Sequence, residues 1–184
     1  VASGLGNFFK TAFADDAQNM MVVRVWKTTI PYKGLQTGRR IQLKNRDYNF
    51  VADEYSNNIQ FQTARINNNF SIKYKNKANN YSIRAVHPDH QFLEKTIIDE
   101  GRYLNERDLK SKSKVIVIGR LIKKDLFGEK IALGKRVNVN GSSFLIIGIF
   151  SDEGGDNEER MAYMPVTTAQ MMYGNNDYIN QINL

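Results

Sequence analysis

GRYLNERDLKSKSKVIVIGRLIKKDLFGEKIALGKRVNVNGSSFLIIGIF, residues 101–150, decides how the rest of the chain is read. Its most apolar run, 115–118, reads as a strand leading straight into Gly119. A short helix follows, with Leu121, Ile122, Leu126 and Phe127 apolar and Gly128 placed to stop it. Two strands then meet at Asn140-Gly141, a dipeptide whose tolerance of left-handed backbone suits a tight hairpin turn. The second of them, 144–150, is apolar on both faces and belongs in the centre of a packed sheet. None of these features is chemistry. The stretch describes a scaffold.

Working outward toward the N-terminus, Leu5, Phe8, Phe9, Ala12, Phe13 and Ala17 recur at helical spacing and predict an amphipathic helix over 5–19. A first strand is expected over 21–30. Trp26 lies within it as a core or partner-facing aromatic, since an indole wants apolar cover and an acceptor. Residues 31–40 form a Gly-, Lys- and Arg-rich loop without the spacing of a phosphate-binding P-loop. Asn45 can cap a helix carrying Tyr48, Val51, Ala52 and Tyr55 on one face. A three-strand meander over 59–66, 70–75 and 81–86 is expected, turning at Asn67-Asn68-Asn69 and at Asn79-Asn80. Phe70, Ile72 and Tyr74 should face inward there and Ser71, Lys73 and Lys75 outward.

Both histidines lie in His87-Pro88-Asp89-His90. Two imidazoles and a carboxylate could seat zinc, but a third strong ligand is missing and a turn begun by proline accounts for the same residues. Toward the C-terminus, the acidic 151–160 segment lacks calcium-loop spacing and reads as a mobile, solvated hairpin tip. A strand over 161–164, a short helix from Pro165 and Thr167 to Met172, and a final strand over 178–184 complete the chain. Met171 and Met172 read as core filler. The pattern implies an α+β fold: a mixed sheet with βαβ-like units plus a smaller inserted α/β lobe. The lobes are expected at 1–97 with 151–184, and at 98–150.

With 184 residues and no cysteine, the chain can bury a real core but holds neither disulfides nor thiolate metal sites. No apolar run approaches the roughly 18 residues of a membrane span. The formal net charge of +7 is unevenly spread. Residues 17–46 carry seven basic side chains and no acidic one, whereas 137–184 carry one basic and six acidic. Such segregation marks some nucleic-acid faces, but neither a stacking motif nor a recognition helix accompanies it, so no nucleic acid is expected. It reads as a surface near a membrane or a partner.

Gly101-Arg102 with the acidic Asp108, the strand ending at Gly119, Leu126-Phe127-Gly128, Gly134-Lys135, Val137, Asn140-Gly141, and Phe144 leading to Ile147-Gly148-Ile149 form an ordered set. So arranged, they resemble the MacB-like periplasmic core domain of ABC-transporter permeases of the MacB/FtsX type. The resemblance continues through Met164-Pro165 and Thr168-Ala169-Gln170. It also reaches back to Pro31-Tyr32-Lys33-Gly34-Leu35 and Gly38-Arg39-Arg40-Ile41, which look like the variant found in Bacteroidetes-type bacteria.

The resemblance implies a porter-like lobe and an inserted lobe, with membrane helices of the full protein just outside both ends. It further implies a segment on the periplasmic side of the inner membrane and a cytosolic ABC ATPase subunit or domain. A second permease copy would form a dimer, and a periplasmic adaptor with an outer-membrane channel would complete the assembly. The domain would link ATP-driven helix movement to a periplasmic partner or substrate, in efflux or mechanotransmission, and no catalytic, cofactor-binding or metal residues are assigned to it. The competing reading is a periplasmic metal-dependent hydrolase or ligand-binding domain built on His87 and His90. A hydrolase would need a nucleophile or base held by an orienting partner. Because no Walker-type loop is present, titration of the chain with Mg-ATP is expected to give no saturable binding. A saturable micromolar site would overturn the scaffold reading.

Overall fold

The computed structural model describes residues 20–152, 156–174 and 176–184, so the expected 5–19 helix lies outside the described residues. The longest feature is a hairpin of β3 (Thr63–Tyr74) and β4 (Lys77–Val86), paired from Arg65 opposite Val86 to Tyr74 opposite Lys77. The expected three-strand meander is therefore two strands. Neither asparagine cluster turns the chain: Asn67, Asn68 and Asn69 pair with Arg84, Ile83 and Ser82. The physical reason is parity. Ala64, Ile66, Phe70, Ile72 and Tyr74 all fall on one face, so the inward alternation passes unbroken through the asparagines and no change of direction is needed. The turn falls at Lys75, which takes a φ of 53°.

Beside β4 runs β9 (Met161–Pro165) in parallel, and β6 (Val115–Gly119) joins β9 antiparallel through Val117–Tyr163 and Ile118–Ala162. Next come β8 (Ser142–Ser151), parallel to β6, and β7 (Arg136–Val139), antiparallel to β8. β7 then returns to β3 through Ile72–Val139 and Lys73–Asn138. The order β3-β4-β9-β6-β8-β7 thus closes on itself. β11 (Gln181–Asn183) and β1 (Val22–Arg24) extend the sheet beyond β3, and β5 (Ile97–Gly101) extends it beyond β8. A separate ribbon pairs β2 (Leu43–Lys44) with β10 (Tyr178–Ile179).

Six helices accompany the strands among the described residues: α1 (Asn45–Glu54), α2 (His90–Leu93), α3 (Glu106–Lys110), α4 (Arg120–Phe127), α5 (Asp156–Glu159) and α6 (Val166–Met172). The pairings make β1 parallel to β3, with β11 between them, and β9 parallel to β11, with β4 and β3 between them. The segments carrying α1 and α6 are thus two interleaved βαβ-like crossovers. This is the α+β fold with a mixed sheet that the sequence predicts.

β6 explains its own composition. Ile116 and Ile118 enter the main core with Ile72, Ile83 and Phe144, while Val115 and Val117 enter a second cluster with Tyr103, Phe150 and Tyr163. A strand with two dry faces must be apolar at every position. α4 lays Ile122, Leu126 and Phe127 on the main core, three of the four apolar positions expected there; Leu121 stays half-buried outside it.

Several expectations need correction. The first strand ends at Arg24, and Trp26 is 82% exposed, so it is not a core aromatic. The N-cap of α1 is Lys44, whose N–H donates to Asp47 Oδ2 at 2.9 Å; Asn45 pairs instead with Gln170. β8 and β9 are not a hairpin, because β9 prefers β4 and β6. The connection between them carries α5, whose Glu159 is only 3% exposed, so this part of the segment is anchored. The final strand divides at Asn180 into β10 and β11, in different sheets.

Two kinds of glycine separate here. Asn140 and Gly141 take φ of 46° and 86° at the β7–β8 turn, with nothing near the position a Gly141 Cβ would occupy. A Cβ at Gly119 would instead lie 2.1 Å from the Glu159 backbone oxygen. Gly119→Ala should therefore cost about 2–3 kcal/mol through enforced overpacking. Gly141→Val should cost about 1–2 kcal/mol through backbone strain alone. Denaturant melts rank the two, and equal stability of Gly141→Val and the parent chain would refute the β7–β8 register.

Candidate functional site

The histidine turn is built from the end of β4 and the start of α2. His87 Nδ1 accepts the Ala64 N–H at 3.1 Å, and its ring stacks on Tyr48 with centroids 4.3 Å apart and planes 6° from parallel. Burial lowers the His87 pKa from 6.5 to about 4. His90 is fully buried, with Nδ1 3.3 Å from the Tyr103 hydroxyl. Burial, with the charges of Arg65 and Arg84 behind it, holds the His90 pKa well below its ordinary value. Asp89 is occupied in accepting the Gln62 N–H at 3.3 Å. His87 acts as a neutral acceptor and stacking group, and His90 as a neutral buried ring in contact with Tyr103. Among the described residues, no group of three or more His, Cys, Asp or Glu side chains is placed to hold a metal.

Next to His90 lies a charged cluster that the linear reading did not single out. Arg84 Nη1 contacts Glu94 Oε2 at 3.2 Å and Glu158 Oε2 at 3.0 Å, and Arg65 Nη1 contacts Glu94 Oε1 at 3.2 Å. It links β3, β4, the chain after α2, and α5. Two guanidiniums against two carboxylates balance, which is how charges survive poor hydration. The signal was present in one place: Arg84 interrupts the apolar run Tyr81, Ile83, Ala85 and Val86, and a lone arginine there implies a buried partner. Burial raises Tyr163 to about 12 and Tyr103 well above its ordinary value. Both phenols stay protonated at neutral pH. The cluster fastens elements together and presents no activated nucleophile.

The residues that carry the family resemblance converge on a second joint. Arg102 grips Asp108 at 2.6 Å and 3.1 Å, and Asp108 also accepts the Asn105 N–H at 3.1 Å, capping α3. Arg102 N–H donates to the Ile147 carbonyl at 2.9 Å, and a Cβ on Gly148 would lie 2.3 Å from the Arg102 oxygen. Arg120 holds Glu159 at 2.9 Å where Gly119 meets that residue's backbone. Gly101, Gly119 and Gly148 are thus places where backbones meet too closely for a side chain, and the Arg102–Asp108 pair fastens the chain beside two of them. Elsewhere, a shallow cleft of about 300 Å³ is lined by amides, among them Gln42, Asn67, Asn68 and Asn176, with no charged side chain. Residues 26–41 form an exposed arm.

The family model of the MacB-like periplasmic core domain matches residues 1–184. The chain belongs to this family. It is 24% identical over 170 residues to the macrolide export ATP-binding/permease protein MacB of Bdellovibrio bacteriovorus, covering 90% of this chain and 26% of that protein. With the protein of the same name from Chlorobium phaeobacteroides it shares 24% identity over 185 residues, 97% of this chain and 28% of the relative. The chain therefore spans about a quarter of the length of these curated relatives.

In fold, the MacB-like domain resembles the extracellular domain of the noncanonic ABC-type transporter YknZ from Gram-positive bacteria. The TM-score is 0.72 at 15% identity, over 89% of this chain and 82% of that one. It also resembles the periplasmic region of MacB from Actinobacillus actinomycetemcomitans, with a TM-score of 0.70 at 23% identity, over 90% of this chain and 73% of the other. Among the described residues, no helix of the MacB-like domain is long and apolar enough to cross a membrane.

The buried histidines give the domain a pH signature. Unfolded, His87 takes up a proton near pH 6.5; folded, it does so only near 4. Its contribution is complete above about 6.5 and is lost as the pH falls toward 4, because protonation then favours the unfolded chain. Thermal melts from pH 7.5 to 4 should show falling Tm across this window, and His87→Gln should flatten the fall. An unchanged slope in the variant would remove His87 from the account.

Proposed function

We propose that this domain is the extracytoplasmic, non-catalytic part of an ABC-transporter permease. In this reading it couples ATP-driven movement of flanking membrane helices to a periplasmic partner or substrate, in efflux or mechanotransmission. The observation that carries the proposal is the pairing of Met21 with Leu184, each N–H donating to the other's carbonyl at 2.9 Å. There β1 and β11 lie side by side, so movement reaching either strand passes at once into β3 and the closed circuit. The ionic and arginine–aspartate joints favour passing that movement on as displacement. The cytosolic ATPase, the second permease copy, the adaptor and the outer-membrane channel all belong to this proposal.

The division into 1–97 with 151–184, and 98–150, belongs to it as well. In its favour, among the described residues the ladder crosses between the two parts only at β9–β6 and β7–β3, each through two residue pairs. Within the first part β3 and β4 pair along their whole length, and within the second β8 is flanked by β5, β6 and β7. The short seams are where movement between the parts would concentrate. The cysteine-free sequence allows a direct test, with Lys73→Cys and Asn138→Cys placed opposite each other across one seam. In the intact transporter, the oxidised pair should leave ATP binding unchanged and uncouple hydrolysis from transport, and reduction should restore coupling. Normal transport by the oxidised protein would exclude relative lobe movement and leave a passive docking platform.

A further inference from the structure

The arm between β1 and β2 is ordered by its own backbone. The Ile41 N–H donates to the Trp26 carbonyl at 3.3 Å, Thr28 to Arg39 at 2.9 Å, and Gly38 to Thr28 at 2.7 Å. At its tip Tyr32 and Leu35 exchange bonds of 3.2 and 3.0 Å around Lys33 and Gly34, whose φ values of 46° and 77° make the tight turn that suits a hairpin. Yet the arm has no core of its own. Trp26, Ile30, Tyr32 and Leu35 are 82%, 77%, 65% and 46% exposed, four of the nine exposed large apolar side chains among the described residues, within ten positions. Apolar side chains concentrated on a preordered projection are a binding surface, since scattered exposure is ordinary and clustered exposure is not.

Charge specifies the partner. Lys27, Lys33, Arg39 and Arg40 share the arm, and no acidic residue occurs from 17 to 46. None of the four is in an ion pair among the described residues. We propose that the arm docks a different protein, one whose surface sets carboxylates around an apolar pocket able to take Trp26 and Tyr32. This inference rests on the extracytoplasmic reading above.

A second copy is the poorer occupant, because both copies carry a net charge of +7. A bilayer is poorer too. The arm leaves from the end of β1 opposite the Met21–Leu184 pair. The arm, held only by isolated bridges, also leaves backbone groups open that protein can pair and hydrocarbon cannot. Aromatic anchors surrounded by basic side chains, already ordered before binding, are what a protein hot spot requires.

The test places the photo-crosslinking residue p-benzoylphenylalanine at position 32 of the full-length transporter in its own cells, with the captured protein identified by mass spectrometry and purified. That protein should bind the 184-residue chain and shift the fluorescence of Trp26, the only tryptophan. Its affinity should fall at least tenfold with Lys27→Glu plus Lys33→Glu, fall similarly with Trp26→Ala by calorimetry, and weaken with salt. Lys130→Glu, far along the chain, should leave it unchanged. All variants should keep the parent Tm, since the arm lies outside the core. Crosslinking only to a second copy, or only to lipid with matching binding to phosphatidylglycerol vesicles, would overturn the proposal. So would no crosslink, or a captured protein that binds every variant equally. Labelling of Lys33→Cys with a membrane-impermeant maleimide reads the extracytoplasmic side separately, so failure of that reading is told apart from failure of docking.

Discussion

β6 has no wet face, and the rest of the domain depends on that. Ile116 and Ile118 fill the main core while Val115 and Val117 fill the second. Burying an aliphatic side chain stabilises by about 1.5–3 kcal/mol, so this short strand can hold two layers together. It is also the strand at which the circuit passes from β9 to β8. The conditions are demanding. Gly119 at its end must carry no side chain, because the Glu159 backbone crosses there, and Gly148 on β8 must leave room for Arg102.

These close approaches give the family resemblance a physical meaning. Its Gly101, Gly119 and Gly148 are points where backbones nearly touch, and its Arg102 and Asp108 form a bidentate ion pair that also caps α3. The motif is therefore a set of joints in a scaffold. The ionic cluster of Arg65, Arg84, Glu94 and Glu158 adds another joint, on the opposite flank of β4 from the hairpin turn. A domain fastened in this way is suited to carrying displacement, which is the work proposed for it.

The exposed arm stands in contrast. Its backbone is held by a few bonds and two isolated bridges, but Trp26 and Ile30 remain in water. The scaffold gains nothing from that exposure. Within one chain, residues pressed into joints and residues held out on an arm thus divide between internal rigidity and outward contact.

Local signals alone determined the strand at 115–119, the stripe of α4 and the Asn140-Gly141 turn, because each rests on periodicity or backbone preference within a few residues. The mixed α+β class followed from their order. Tertiary structure decided the rest. The three asparagines at 67–69 look like a turn, but cross-strand pairing with β4 outweighs their local preference. The 156–159 segment looks solvated, but Arg84 and Arg120, distant in sequence, draw Glu158 and Glu159 inward. Trp26 reads as a core or partner-facing aromatic, and the sheet, ending at Arg24, removes the first of these. In the first two cases the deciding energy comes from a partner more than ten residues away, in the third from where the sheet ends, and no local pattern records either.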